Sequence, residues 1–286
     1  MKIGIITVLF KSEQVLPDFI KCLNEQSFRD FEVCFIENDF ENNACEELIL
    51  KLSQFDYTFT RSAANIGVAA GNNFGINFFA QVKNITHLLF LNNDIEVDQN
   101  FLHDQVKILK SKPEIDALAP KMLYHNAGGK IWYAGGKISY LKEGPIHYGH
   151  NKPDLLTKKE VYRVSYAPTC SILIKKDKIE ENGIRMWEEL FVYYDDYTFC
   201  KDLRKAGVSL FYTPQVILSH KISSSTGGTQ SEFSRFYSTR NWAYLVRIYF
   251  NVSILFLPFL LMYYKISRKK TELKALKESF KLKKND

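Results

Sequence analysis

Paired cysteines are the first thing this chain lacks. Its five cysteines, Cys22, Cys34, Cys45, Cys170 and Cys200, form no C-x-x-C pair and no zinc-ligand spacing. An odd, scattered set points to reduced thiols in a cytosolic setting. The first residues, Met1-Lys2-Ile3-Gly4, lead straight into an apolar strand, without the longer apolar core and small-residue cleavage site of a signal peptide. Neither G-x-G-x-x-G nor a Walker sequence occurs, so nicotinamide dinucleotide and kinase chemistry have no support. Internal repeats are absent too. An excess of one charge is missing from most of the chain. The net charge is +6, and residues 265–286, with nine Lys/Arg against three Asp/Glu, carry all of it. The balanced remainder excludes a general nucleic-acid-binding surface, and any basic partner surface is the tail.

What is present is a core. The 286 residues are 46% apolar, enough for one large domain or two small ones. The stretch His87-Leu88-Leu89-Phe90-Leu91-Asn92-Asn93-Asp94 organises the rest. Its unbroken apolar run reads as a strand buried on both faces, as in a parallel sheet, and its polar triplet falls at the carboxyl edge where open α/β sheets bind ligands. Before it, apolar strands are expected at 3–10, 31–36 and 57–60, alternating with helices that carry Leu16, Phe19, Ile20 and Leu23, then Leu48, Ile49 and Leu52, then the segment from Asn65 to about Val82. Four alternations of strand and helix predict a doubly wound, mostly parallel α/β sheet. That layout brings Thr7, Glu37, Asn38, Arg61 to Asn65, and Asn92 to Asp94 to one edge. Gly67 and Gly71 are expected to bring backbone close to a ligand and to open a helix whose N-terminus favours anions. Asp94 beside Asn92 or Asn93 suits Mg²⁺ or Mn²⁺ on a diphosphate, because these ions take hard oxygen ligands. An Asn/Asp turn closing the strand explains the same residues without chemistry.

The second half is less regular. Residues 130–136 look like a strand running into a turn, and 161–165 and 171–174 are strand-like, with the small-residue loop Ala167-Pro168-Thr169-Cys170 between them bordering a pocket. Asp195 and Asp196 open a helix that carries Phe199, Leu203 and Ala206 and stops at Gly207; acids there also serve as simple capping groups. Two short strands are expected at 210–214 and 216–220, the second closed by His220 and followed by the polar segment 221–228.

Taken in order, these residues resemble family 2 glycosyltransferases of GT-A fold, especially the rhamnosyltransferase-like branch, over roughly residues 1–250. Asn65-Ile66-Gly67-Val68-Ala69-Ala70-Gly71-Asn72-Asn73 looks like the family's donor motif, and Leu91-Asn92-Asn93-Asp94 like its variant D-x-D metal motif. Trp132-Tyr133-Ala134-Gly135-Gly136 resembles a W-x-A-G-G stretch of the branch; Thr169-Cys170-Ser171 falls near its acceptor segment; Asp195-Asp196 stands at its E-D acceptor motif, His220 at its metal-completing His, and Arg240-Asn241 at its R-N. The chain departs from the pattern at Lys11, where an Asn is usual, at Glu37-Asn38-Asp39-Phe40 in place of Asp-Asn-Gly-Ser, and at Thr198, where a last acid is usual.

The resemblance implies a Rossmann-like sheet with helices on both faces, residues 1–240, in a donor half 1–98 and an acceptor half 99–240, followed by a C-terminal helical extension, 241–286. It implies a donor site of Thr7, Glu37, Asn38, Arg61, Asn65, Gly67, Asn72, Asn73, Asn92 and Asn93 for a UDP- or dTDP-sugar. A divalent ion, Mg²⁺ or Mn²⁺, would sit on Asp94, Asn93 and His220. Trp132, Thr169 and Cys170 would meet a saccharide or lipid-linked acceptor of bacterial surface polysaccharide synthesis. Asp196 would act as general base and invert the anomeric carbon, with Asp195 raising its pKa by like-charge repulsion. A sugar nucleotidyltransferase and a non-catalytic nucleotide-sugar-binding module remain as alternatives of other classes.

The C-terminal segment carries its own expectation. Residues 248–264 form an uncharged run of 17 that includes Asn251 and Pro258, at the short limit for a spanning helix. Spanning would place the nine basic residues of the tail outside, against the positive-inside bias. A helix lying in the interface on the cytoplasmic membrane face, with Tyr263 and Tyr264 at headgroup level, keeps them beside anionic lipid; a buried core or dimer-interface helix is the alternative.

Overall fold

A computed structural model describes residues 1–39, 41–139, 144–155, 160–221, 230–249 and 253–283, with side chains from 258 onward in the last segment. The first half alternates as its hydrophobic pattern predicts: β1 (Ile3–Leu9), α1 (Leu16–Asn24), β2 (Phe31–Glu37), α2 (Ala44–Leu52), β3 (Asp56–Arg61), α3 (Gly67–Ala80) and β4 (His87–Leu91). After it come β5 (Ile95–Val97), α4 (Phe101–Ser111), β6 (Ala117–Tyr124), β7 (Ile131–Tyr133), β8 (Gly136–Ser139), β9 (Gly144–His147), β10 (Tyr162–Arg163), β11 (Ser171–Lys175), α5 (Lys176–Glu180), α6 (Asp195–Lys205) and β12 (Leu210–His220). Helices α7 (Glu232–Tyr249), α8 (Ser253–Ile266) and α9 (Lys270–Ser279) end the chain.

One sheet runs β10-β12-β6-β11-β4-β1-β2-β3, with β5 on β12 and β7 on β6; β8 and β9 form a separate hairpin. Strands β3, β2, β1 and β4 are mutually parallel, and β11 enters antiparallel beside β4. Continuous apolar runs are buried on both faces, as β1 and β4 show: Ile3, Ile5, Leu9, Leu89 and Phe90 are inaccessible to solvent. Helix α3 lies close on β1 because a side chain at Gly71 would meet Val8 at 2.8 Å. That glycine therefore serves helix–strand packing rather than the approach of backbone to a ligand.

Two expectations change. The strands expected at 210–214 and 216–220 are one strand, β12, whose register on β6 shifts between Thr213 and Ile217. Pro214 has no N–H to give the ladder, which explains the local break without a change of direction. The boundary expected at 240/241 falls inside α7, whose Tyr244 and Leu245 are packed into the main core. Segment 222–229 lies outside the described residues.

Candidate active site

The carboxyl edge of the parallel strands opens into a cavity of about 370 Å³. Asn38, Asn65, Gly67, Asn72, Asn92, Asn93 and Asp94 supply its polar lining, and Val8, Phe10, Phe191, Val192 and Phe233 its apolar walls. The strand ends therefore converge as the alternation of elements requires. Asn38 donates to the Gly67 carbonyl at 3.0 Å, Asn65 accepts from the Gly67 N–H at 3.0 Å, and Asn93 donates to the Val8 carbonyl at 2.9 Å. Asn38 Oδ1 is buried without a protein partner. An unsatisfied buried acceptor is costly, so Asn38 Oδ1 in the cavity lining marks a place where a ligand donor completes the set.

Other candidate donor residues do not line the cavity. Thr7 is buried and donates to the Leu91 carbonyl at 3.0 Å, tying β1 to β4. Glu37 accepts from the Asp39 N–H at 2.7 Å, and burial raises its pKa. Arg61 turns to α2, donating to Asn43 and pairing with Glu46 at 3.0 Å. Asn73 holds the Met186 backbone through both amide atoms, at 2.9 and 2.8 Å, and so anchors the loop before α6.

The start of α3 is closed to a phosphate. Its first amides, at Val68 and Ala69, donate to the Phe191 carbonyl at 2.7 and 3.5 Å. Gly67 has φ +80°, and a Cβ there would lie 2.4 Å from that same oxygen. The expected anion site is thus taken by a carbonyl of the 188–194 loop, because the loop needs those donors for its own turn. Phe191, Tyr193 and Tyr194 all sit at φ between 63° and 65°, and such positions persist only where the surroundings hold them. Asn241 supplies the hold by donating to the carbonyls of Leu190, Val192 and Tyr193 at 2.8, 2.8 and 2.9 Å; Arg240 donates to those of Glu189 and Leu190.

At the rim, pairing of β5 with β12 sets Ile95 opposite His220 and so brings Asp94 and His220 together across 126 residues of sequence. His220 Nε2 lies 3.1 Å from Asp94 Oδ1, and the Trp132 ring covers the imidazole with centroids 4.6 Å apart. Asn93 keeps only its Oδ1 free of the Val8 bond described above. One carboxylate and one imidazole fit a divalent ion whose remaining positions are filled by phosphate oxygens and water. Among the described residues no group of three or more His, Cys, Asp or Glu side chains forms a metal cage, so such an ion needs the ligand's own oxygens.

Asp195 and Asp196 lie beyond Cys170, outside the cavity lining. The 166–170 loop joins them to the rim: the Cys170 carbonyl accepts from the Asn92 N–H at 3.0 Å, and the Tyr166 hydroxyl at the other end of the loop donates to Asp196 at 2.5 Å. Asp195 is buried beside Thr169, and its pKa is pushed up to about 7, first by burial and then by Asp196. Burial raises Asp196 as well, while hydrogen bonds from the Tyr166 hydroxyl, at 2.5 Å, and from the Tyr197 N–H, at 2.7 Å, oppose it. Repulsion between the two carboxyls is mutual, and with burial as the larger cause it holds both acids above the usual carboxylate range. Sequence reasoning missed Tyr166 and His147, which stand behind Asp196, and Phe191 and Phe233, which wall the cavity. The only sequence signal for Tyr166 was its place directly before the small-residue loop 167–170.

This fold and edge define the GT-A class of nucleotide-sugar enzymes. The chain belongs to glycosyl transferase family 2: residues 4–181 match that family. It is 24% identical over 210 residues to the low-salt glycan biosynthesis hexosyltransferase Agl10 of Haloferax volcanii, covering 73% of this chain and 63% of that one. Among solved structures it resembles TarS of S. aureus (TM-score 0.60, 15% identity, 85% of this chain and 39% of that one) and GalNAc-T7 with UDP, GalNAc and Mn²⁺ (0.64, 16%, 88% and 49%). The mannosyltransferase PcManGT of Pyrobaculum calidifontis with GDP-Man and Mn²⁺ is similar as well (0.57, 12%, 85% and 62%). The chain thus spans less than two thirds of the length of each of these proteins.

Proposed function

We propose that the chain is an inverting, metal-dependent glycosyltransferase that moves a hexosyl or deoxyhexosyl group from a nucleoside-diphosphate sugar to a hydroxyl of a saccharide or lipid-linked saccharide, in surface polysaccharide synthesis. One observation carries this reading: the 166–170 loop links the cavity to an acid, its Cys170 carbonyl accepting from the N–H of Asn92 in the cavity lining at 3.0 Å and its Tyr166 hydroxyl donating to Asp196 at 2.5 Å. Asp94 and His220 would hold a divalent ion, which when bound neutralises charge on the departing diphosphate. Asn38 Oδ1 would accept from the nucleoside. Asp196, on the acceptor side, would take the proton of the attacking hydroxyl. One base and one displacement invert the anomeric carbon. The nucleotides held by solved neighbours, UDP, UDP-GlcNAc and GDP-Man, support the class of donor and leave base and sugar open.

The test is a panel of UDP-, dTDP- and GDP-sugars with and without Mn²⁺ or Mg²⁺. Release of nucleoside diphosphate is expected; release of pyrophosphate would point to nucleotidyl transfer, and binding without turnover to a binding module. Asp196→Asn is expected to keep donor binding and lower turnover by at least about 10²-fold, the scale of a lost general base.

A membrane-facing position, on the cytoplasmic side, is part of the proposal. In α8, Phe259, Met262, Tyr263 and Ile266 are each more than half exposed, at the i, i+3, i+4, i+7 spacing of one helix face. Leu260, Leu261 and Tyr264 turn the other way and pack against Ala243 and Leu276. Exposed Lys265, Arg268, Lys269 and Lys270 adjoin the apolar face. That combination suits an anionic bilayer surface. Among the described residues no helix is long and apolar enough to cross a membrane.

A further inference from the structure

The hydrogen bonds behind Asp196 contain one proton too few. His147 Nδ1 lies 3.0 Å from the Trp132 carbonyl oxygen, which only accepts, so Nδ1 carries the ring proton. Burial holds the imidazole neutral, with its pKa lowered to about 4. Its Nε2 is then a bare acceptor, and it faces the Tyr166 hydroxyl at 3.4 Å. On the other side that hydroxyl meets Asp196 Oδ2 at 2.5 Å, and a carboxylate also only accepts. A single buried O–H thus stands between two acceptors and can serve one of them. In the resting geometry it serves Asp196, the nearer.

We propose that Tyr166 and His147 form a hydrogen-bond reversal device behind the base, in which Tyr166 donates to Asp196 as a carboxylate and turns to His147 Nε2 once Asp196 has taken the acceptor's proton. The balance is simple. The O–H bond of the acceptor hydroxyl breaks and an O–H bond forms on Asp196. The Tyr166 proton stays on its oxygen and rotates, and that oxygen then accepts from Asp196. Both protonation states of the base are thereby satisfied inside a buried site, where a missed partner is costly. Tyr166 and His147 are positioning residues, since they act through Asp196. Asp195 and Cys200 from α6, Tyr133 from β7, Cys170 and His150 are the other titratable groups around the array. The device rests on the reading of Asp196 as general base.

The two partners should move the base in opposite directions, which a merely structural role would not do. The full chain labelled with [γ-¹³C]aspartate is titrated by NMR, and Asp196 is assigned by the loss of its signal in Asp196→Asn. Tyr166→Phe removes a donor to the carboxylate, so the Asp196 pKa is expected to rise by about one to two units. His147→Leu removes the second acceptor and penalises the protonated form, so the pKa is expected to fall by about half a unit to one. His147→Gln restores an acceptor oxygen and is expected to return it toward wild type. Shifts of the same sign, or none, overturn the device. Should Tyr166→Phe fail to fold, the His147→Leu and His147→Gln pair decides by itself. Turnover separates the two layers. If Asp196→Asn keeps turnover while the opposed shifts appear, the general-base reading falls and the hydrogen-bond device stands. If Asp196→Asn loses turnover and the shifts are absent, the device alone falls.

Discussion

Single residues at this site are held by burial more than by pairing, and that sets what substitution and pH should do. Asp94→Ala removes the carboxylate of the rim pair with His220, so metal-dependent turnover is expected to vanish across a Mn²⁺ titration; near-normal turnover would remove the metal assignment. His220→Ala leaves Asp94 in place, so the metal concentration needed for half-maximal turnover should rise, and an unchanged requirement would make His220 a packing partner of Trp132. Asp195 makes a stability prediction. Its folded pKa, about 7, lies above the ordinary 3.8, so the folded state holds the proton longer than the unfolded one. Below about 3.8 both states are neutral and nothing is lost; as pH rises toward 7 the unfolded chain releases its proton first, and stability falls. Asp195→Asn should therefore raise the unfolding midpoint at pH 8, by a margin that shrinks toward pH 4. A gain that is independent of pH would contradict the buried-charge account.

At the scale of elements, the parallel half was legible in the sequence because hydrophobic period and strand burial report one physical fact. Runs such as residues 87–91 have no polar face and so cannot be edge or surface strands. The convergence of strand ends at Asn38, Asn65 and Asn92 to Asp94 followed from the same alternation. Three things were not legible. Glycines at 67 and 71 signal close approach but not what approaches, and here it is the Phe191 carbonyl and Val8. Pairing of β5 with β12, which makes the Asp94–His220 pair, joins segments more than a hundred residues apart and leaves no local pattern. The left-handed residues 191, 193 and 194 carry aromatic side chains, so their conformation is imposed from outside by Asn241 and Arg240. Asn241→Ala should test that imposition. Its amide has two N–H donors shared among three buried carbonyls. Their loss should cost about 2 kcal/mol and lower turnover with little change at the Asp94 metal requirement. If turnover survives unchanged, the loop keeps its shape without the clamp.

Over the whole molecule, the 166–170 loop runs between the cavity edge at Asn92 and the Asp196 carboxyl, and α7 packs against the C-terminal helices α8 and α9. Helix α9 is part of that packing, with Ala275, Leu276 and Ser279 fully buried. Removing the tail to probe membrane binding would therefore uncover core surface and confuse the outcome. The better probe keeps every buried contact and changes only the outward face of α8: Phe259→Ser, Met262→Gln, Tyr263→Ser and Ile266→Gln together. The full chain should float with vesicles containing anionic lipid at low salt and sink with neutral ones, because the basic residues at 265–270 act over a Debye length of about 10 Å at 0.1 M salt. High salt should strip it off, as it would not strip a spanning helix. The fourfold variant should keep its fold, monitored by circular dichroism and by unchanged turnover on a soluble acceptor, and lose flotation. If the wild-type chain stays with the protein fraction and sediments as a dimer that the variant does not form, the same face is a contact between two copies and the membrane reading is replaced.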